Sequence, residues 1–172
     1  MRPPAWLGLP AAVLAAPAYA TSYLTVAEAQ QLLFPGLALS ESPVTLSEEQ
    51  QRQIAARSGV PVTSPQLRAW RAPDGGWYLL DEVIGKHERI GYALGLAADG
   101  RVLGVEILDY REAYGFEVRN ARWRAQFVGK RATDPVALDK DIRNISGATL
   151  SSRHVTEGVK RLLATYAIAL KG

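Results

Sequence analysis

Bulky apolar and small or polar residues alternate through the middle of this 172-residue chain, a pattern that predicts β-strands. An apolar run over Trp77–Ile84 precedes two segments with apolar residues at every second position, Ile90–Leu96 and Leu103–Ile107. Asp99-Gly100 stands between these two segments and is a strong signal for a hairpin turn. The three segments therefore predict an antiparallel meander with one buried face.

Apolar residues spaced three and four apart predict helices before the sheet. Two capping-box pairs, Thr25 with Glu28 and Ser47 with Gln50, each stand at the start of such a pattern. Gly59 follows the second pattern and is expected to end that helix. The N-terminal part of the chain is therefore predicted to hold two short helices.

Two more helices are predicted after the sheet. In Phe116–Val128, Trp123 and Phe127 are four residues apart, so both are expected on one face and in the core. Ser151–Leu170 is the clearest helix because it carries a continuous apolar stripe. The stripe consists of Val155, Val159, Leu162, Leu163, Tyr166 and Leu170.

One domain is expected over residues 21–172 from the length of the chain. Residues 21–72 are predicted to form a helical part with loops, and residues 73–172 to form the sheet and the candidate site. This organisation is typical of the α+β class. We expect an antiparallel β-meander packed with helices and a long C-terminal helix.

Residues 1–20 have the pattern of a secretory signal peptide. Arg2 precedes an apolar stretch from Ala5 to Ala16, and Ala18-Tyr19-Ala20 supplies a cleavage site of the A-x-A type. The stretch is too short for a permanent membrane span. We therefore expect export, to the periplasm or another extracytoplasmic space, as a protein that is soluble after cleavage.

Composition narrows the chemistry that the chain can perform. The absence of cysteine excludes disulfides, Cys-held iron–sulfur clusters and c-type haem attachment. The net charge is +3, and Arg111–Arg161 holds eleven Lys and Arg against six Asp and Glu, which suits an anionic cofactor. These basic residues are scattered, so no nucleic acid is expected as a partner. His87 and His154 have no companion at metal-ligand spacing, so no metal is expected.

The segment Ile145–Ser152 leads directly into the C-terminal helix and is rich in small and hydroxyl residues. A helix N-terminus offers free N–H groups and a partial positive charge, which together suit a phosphate. Gly147 and Ala148 would let the backbone approach such a group closely, and Thr149 is one of the hydroxyls that could bind or carry it. The alternative is a simple Ser or Thr N-cap after a Gly turn.

Ser146-Gly147-Ala148-Thr149 resembles the flavin-attachment motif of the FMN-binding domain family. That family includes the flavin-carrying subunits of the sodium-translocating NADH:quinone reductase and related membrane redox complexes. The resemblance covers about residues 77–165 and rests on four segments in the same order. They are Val83–Glu88, Tyr110–Gly115, Trp123–Lys130 and Asp141–Thr149.

The resemblance implies that the phosphate of FMN is esterified to Thr149 by a flavin transferase. The other residues that it implies at the phosphate are Ser146, Gly147, Ala148, Leu150, Ser151, Ser152 and Lys130. Glu112 and Gly115 correspond to residues of a loop that lies against the flavin in the family, whereas Ala113 and Tyr114 replace its Thr and Pro. Tyr114 is expected either to stack on the flavin ring or to pack on its own helix. Arg143 stands where the membrane-complex subunits have an acidic residue.

These expectations describe an exported electron-transfer flavoprotein. It would carry FMN on Thr149 and exchange electrons with a membrane or extracytoplasmic redox protein, and it would be an electron carrier rather than a stand-alone oxidoreductase. The alternative is a non-redox module that binds a phosphorylated or other anionic ligand reversibly at the Ser146–Ser152 helix N-terminus.

Overall fold

The computed structural model describes residues 23–111 and 115–171. The predicted signal peptide and two predicted site residues, Glu112 and Tyr114, lie outside the described residues. The helices are α1 Val26–Leu33, α2 Glu48–Ser58, α3 Ala121–Arg124 and α4 Thr149–Thr165. The strands are β1 Ser40–Glu41, β2 Val44–Thr45, β3 Gln66–Arg71, β4 Trp77–Ile84, β5 Arg89–Leu96 and β6 Val102–Tyr110.

The two N-terminal helices begin where the sequence predicts. Thr25 and Glu28 form a reciprocal capping box at the start of α1, and Ser47 and Gln50 form another at the start of α2. Gly59 follows α2 in the left-handed conformation, with φ 72°, and its N–H donates to Ala55. Both helix predictions are confirmed.

The sheet is antiparallel, and its main path runs β1-β3-β4-β5-β6. β3 was not predicted, because the segment is short and follows a Pro-rich loop. It pairs with β4 through Arg68–Arg71 and with the two short strands β1 and β2. The helical part predicted for residues 21–72 therefore also contributes a strand to the main sheet. The α+β class, the meander and the long C-terminal helix are confirmed.

Both faces of the sheet are buried, so the prediction of one buried face was wrong. One face packs against α4 and contains the larger core, in which Tyr92 and Leu94 of β5 contact the apolar stripe of α4. The other face packs against α1 and includes Tyr78, Ala93 and Leu108. A strand buried on both faces does not show a clean alternation of apolar and polar residues.

The segment Phe116–Val128 is not one helix. A 3₁₀ turn over Phe116–Arg119, the four-residue α3 and a second 3₁₀ turn over Ala125–Phe127 follow one another. Asn120 breaks the helical path because its backbone is extended. Trp123 and Phe127 are nevertheless buried, and their rings make an edge contact at 5.2 Å between centroids, so their prediction as core residues is confirmed.

Helix α4 runs across the sheet from the end of β4 to the β5–β6 hairpin. Near its start, His154 contacts the carbonyl of Ile84 at the end of β4. Beyond its end, the hydroxyl of Tyr166 donates to the carbonyl of Ala98 in the β5–β6 hairpin. We refer to the end of the sheet where β4 and β6 finish as the Thr149 end. Among the described residues, no helix is long and apolar enough to cross a bilayer.

Candidate functional site

A tight turn delivers the chain into α4. The N–H of Ala148 donates to the carbonyl of Ile145 at 3.0 Å, and Gly147 has a left-handed backbone with φ 84°. Only glycine adopts that backbone without steric cost, which explains a glycine at this position. The turn leaves Ser146, Gly147 and Thr149 exposed and Ala148 buried.

The N-terminus of α4 has free backbone donors. Its N-cap residue is Ala148, and no side chain in the described part of the chain hydrogen-bonds to the cap. The first intrahelical bond runs from the N–H of Ser152 to the carbonyl of Ala148. Helix geometry thus leaves the N–H groups of Thr149, Leu150 and Ser151 without helical acceptors. The interpretation of this segment as a simple Ser or Thr N-cap was therefore wrong.

The hydroxyl groups in the first turn of α4 have different surroundings. Ser151 is buried, and its Oγ lies 3.1 Å from the hydroxyl of Tyr110. Ser152 is fully buried, and its Oγ donates to the side chain of Asn144 at 2.9 Å and lies near the carbonyl of Thr149. Thr149 is exposed. Of these three hydroxyls, that of Thr149 is the one that solvent and an enzyme can reach.

Gly115 packs directly against this turn. Its φ of 92° requires glycine, and a Cβ placed on it would lie 2.5 Å from the hydroxyl of Tyr110 and 2.9 Å from Oγ of Ser151. The end of the predicted loop is therefore beside the first turn of α4. The structure thus brings Gly115 together with Ala148 and Ser151, as a common site requires.

Three exposed apolar side chains lie around the turn. Leu150 is 41% exposed, Phe116 follows Gly115 and is 58% exposed, and Ile84 is 62% exposed. Ile84 is linked to α4 through His154, which stands one turn after Leu150 on the same helix face. Exposed large apolar residues at one place indicate a contact surface for a ligand or partner.

Lys130 does not lie with the residues around the Thr149 turn. Its carbonyl accepts from the N–H of Val102 at the start of β6, whereas Tyr110 ends that nine-residue strand. The length of the strand, about 27 Å, therefore separates the backbone of Lys130 from the Thr149 end. Its Nζ lies 2.9 Å from Asp141. Lys130 thus supports the loop before the turn, and its predicted role at the phosphate, which this position does not favour, stays a prediction.

Asp141 anchors that loop. Its carboxylate accepts from the N–H groups of Val136 and Ala137 and pairs with Lys130. Partial burial opposes ionisation, yet the hydrogen bonds from Lys130 and the two N–H groups outweigh it and lower the pKa of Asp141. The carboxylate is therefore a structural group that fixes residues 136–141.

The residues that orient the turn were not predicted from the sequence. Oδ1 of Asn144 accepts from the N–H of Ile145 at 2.8 Å and from the hydroxyl of Ser152. The backbone of Arg143 is held on both sides, because its carbonyl accepts from the indole of Trp123 and its N–H donates to Gln126. An Asn just before a Gly turn is a recognisable signal for such local bonds.

These residues fit a phosphate with an attached flat ring. The free N–H groups and the positive end of the α4 dipole suit the phosphate, and the exposed apolar side chains suit a ring. In the described part of the chain, no three residues of the His, Asp and Glu types are arranged to hold a metal ion.

Comparison with known proteins agrees with this geometry. Residues 85–164 match the family model described as the FMN-binding domain. Residues 85–164 thus correspond to an FMN-binding domain. The matched region begins directly after β4 and includes β5, β6, Gly115, the Thr149 turn and nearly all of α4. FMN is therefore its cofactor, as the resemblance predicted.

Two subunits of Na⁺-translocating redox complexes are similar to this chain. One of the subunits of the Na⁺-translocating ferredoxin:NAD⁺ oxidoreductase complex of Acetobacterium woodii is 31% identical over 81 residues, which cover 42% of this chain and 39% of the relative. One of the subunits of the Na⁺-translocating NADH-quinone reductase of Parabacteroides distasonis matches with a TM-score of 0.52 at 16% identity. That alignment covers 78% of this chain and 79% of the other, and it shows the shared fold.

Proposed function

We propose that this FMN-binding domain is an exported electron carrier whose FMN is bound through a phosphoester to Thr149. The observation that carries the proposal is the exposed hydroxyl of Thr149 on a helix N-terminus that no described side chain caps. A phosphate on this hydroxyl lies beside the free N–H groups of the first turn. Those groups and the helix dipole then stabilise its negative charge.

The neighbouring hydroxyls support the choice of Thr149. Ser151 and Ser152 are buried and engaged with Tyr110 and Asn144, so attachment to either requires the first turn to open. Ser146 is exposed, but it lies in the turn before the helix and is not part of α4. Of these hydroxyl residues, Thr149 is the one that is both exposed and part of α4.

The attachment reaction needs an activated flavin donor, because an ester does not form readily from free FMN in water. A flavin dinucleotide supplies that activation through its pyrophosphate bond. A flavin transferase would form the P–O bond to Oγ1 of Thr149 while the pyrophosphate bond breaks and a nucleoside monophosphate leaves. The hydroxyl proton passes to the base of the transferase or to solvent.

FMN supplies one- and two-electron redox chemistry, and the protein supplies binding and orientation. Leu150, Phe116 and Ile84 offer the ring an apolar surface beside the attachment point. Because these side chains are exposed, a ring on them stays accessible to another redox protein. That accessibility favours an electron carrier over an enzyme with an enclosed substrate pocket.

We further propose that the electron partner is a membrane or extracytoplasmic redox protein. The two relatives are subunits of Na⁺-translocating oxidoreductases, which supports a membrane partner. The A-x-A pattern at Ala18–Ala20 supports export. Outside the cytoplasm a covalent cofactor is not lost when the concentration of free FMN falls below its Kd.

Denaturation of the exported protein, after coexpression with a flavin transferase, tests this function. We expect the yellow colour to stay with the precipitated chain and its bleaching by dithionite to be reversed by air. A protein produced without the transferase is the matched control and should be colourless. Release of the colour into the supernatant would contradict covalent attachment and favour a reversible anion-binding module.

A further inference from the structure

Part of the edge of β4 is left open by β3. The two strands pair only as far as Arg68 opposite Leu80. The earlier residues of β3, Gln66 and Leu67, pair with β2 on the opposite edge of β3 and have no partner in β4. The stretch of β4 from Asp81 to Ile84 therefore has β5 on one side and no strand of the described residues on the other.

The backbone of Glu82 faces this open side. The N–H of Gly85 donates to the carbonyl of Glu88 and closes the β4–β5 hairpin. Because bonding alternates along an antiparallel ladder, Val83 bonds to β5, whereas Glu82 and Ile84 direct their N–H and carbonyl groups away from it. The imidazole of His154 donates to the carbonyl of Ile84, which leaves Glu82 at the centre of the open edge.

A groove of about 800 Å³ surrounds this edge and reaches both faces of the sheet. On the face of α4 it is lined by Val83, His154 and Gly158. On the face of α1 it is lined by Gly91 and Leu108. An added β-strand has this shape, because its backbone would follow the edge while its side chains alternate between the two faces.

The lining of the groove holds one more carboxylate than guanidinium, although the chain as a whole has a net charge of +3. Its lining contains two ion pairs, Arg161 with Asp81 and Arg89 with Glu82. The remaining charged carboxylates are Asp109 on the α1 side and Glu157 on α4, and the remaining guanidinium is that of Arg68, which lies over the ring of Trp70. One carboxylate is thus available beside each face of the open edge.

We propose that an extended segment of the redox partner, bearing Lys or Arg side chains, adds to the sheet as a strand beside Glu82. The inference rests on the proposed function. The edge ends at Ile84, whose carbonyl contacts His154 in the early part of α4, five residues after Thr149. A strand held there brings the body of the partner next to the flavin, while Asp109 and Glu157 select its basic side chains.

A short peptide tests the proposal on the folded protein. The probe is a nine-residue peptide of Val and Thr with two Lys three positions apart, so that one Lys points to each face. The same peptide with two Glu is the control. We expect the Lys peptide to bind at least about tenfold more tightly, and its binding to slow hydrogen exchange at the N–H of Glu82. Equal affinities, or no protection at Glu82, would overturn the proposal.

Two substitutions separate backbone pairing from charge. Glu82→Pro removes the outward N–H without touching the bonds to β5, and proline is tolerated on an open edge. Glu82→Ala removes the same carboxylate and keeps the N–H. We expect Glu82→Pro to weaken the Lys peptide at least about tenfold relative to Glu82→Ala. Equal affinities of the two variants for the Lys peptide would overturn strand addition. If Glu82→Pro does not fold, the hydrogen-exchange measurement at Glu82 in the chain without substitutions is the test instead.

Binding of the Lys peptide at the open edge of β4 should not depend on flavin attachment. Thr149→Ala carries no flavin under the proposed function, yet it keeps β4 and the groove, so it should bind the Lys peptide with unchanged affinity. Peptide binding together with an absence of covalent flavin would contradict the proposed function alone. Covalent flavin with no peptide binding would contradict the docking edge alone.

Discussion

The hydroxyl of Tyr110 lies 3.1 Å from Oγ of Ser151, and this contact joins the last residue of β6 to the first turn of α4. Both groups are buried, and Gly115 passes close to both of them. The contact fixes the start of α4 relative to the sheet. The position of Thr149 is therefore set by buried residues, although Thr149 itself is exposed.

Gly115→Ala should disrupt this junction. Its Cβ would lie 2.5 Å from the hydroxyl of Tyr110, and its φ of 92° is unfavourable for alanine. We expect the free energy of unfolding to fall by about 2–4 kcal/mol, as for strained or overpacked positions, measured by urea denaturation. Gly147→Ala is the matched control, because Gly147 also has positive φ but no atom within 4 Å of its Cβ position. An equal loss in the two variants would show that the close contacts do not matter.

Two buried tyrosines should respond in opposite ways to the loss of their hydroxyls. The hydroxyl of Tyr78 has no hydrogen-bond partner among the described residues, whereas that of Tyr92 donates to Asp81 at 2.6 Å. We expect Tyr78→Phe to raise the free energy of unfolding by about 1 kcal/mol and Tyr92→Phe to lower it by about 1 kcal/mol. Thermal denaturation of both variants provides the measurement, and a loss with Tyr78→Phe would contradict the burial of an unpaired hydroxyl.

Stability should decline in alkaline solution. Burial, together with the charge of Asp81, raises the pKa of Tyr92 well above its ordinary value. Below a pH of about 10 this phenol is neutral in both states, whereas above it the unfolded chain loses the proton and the folded chain keeps it. The free energy of unfolding therefore falls as the pH rises above about 10. Urea denaturation at several pH values should give a shallower decline for Tyr92→Phe, and an unchanged slope would contradict this assignment.

Lys130→Met should affect the loop and not the flavin. The Lys130–Asp141 pair is partly exposed, so its loss should lower the free energy of unfolding by about 1 kcal/mol or less. The extent of flavin attachment under coexpression should equal that of the unmodified chain, because Lys130 lies far from the Thr149 end. Arg153→Met is the comparison, since Arg153 is an exposed basic residue of the early part of α4. A drop in flavin attachment for Lys130→Met but not for Arg153→Met would show that Lys130 contributes to the phosphate site.

The sequence predicted the elements whose signals are local. The capping boxes at Thr25 and Ser47 and the hairpin turn at Asp99-Gly100 each depend on residues next to one another, and the structure confirms all three. Leu103 shows where such reasoning fails. It was predicted on the same face as Val105, but a bulge near the start of β6 moves it to the α1 side, and a bulge has no reliable sequence signal.

The candidate site was predicted in part for the same reason. The Thr149 turn is contiguous in sequence, so its glycine and hydroxyls indicated a helix N-terminus. The roles of Ser151 and Ser152 depend on Tyr110 and Asn144, and the position of Lys130 depends on which end of β6 it contacts. Such contacts between distant residues follow from the packing and not from the motif.

Intact mass after export and coexpression with a flavin transferase tests the central claim most directly. The chain with its native sequence should exceed the mass of residues 21–172 by the mass of one FMN less one water. Thr149→Ala should show no gain, while Thr149→Ser and Ser146→Ala should keep it, since both retain a hydroxyl at residue 149. An unmodified mass for the native sequence, or a flavin adduct on Thr149→Ala, would contradict attachment at Thr149.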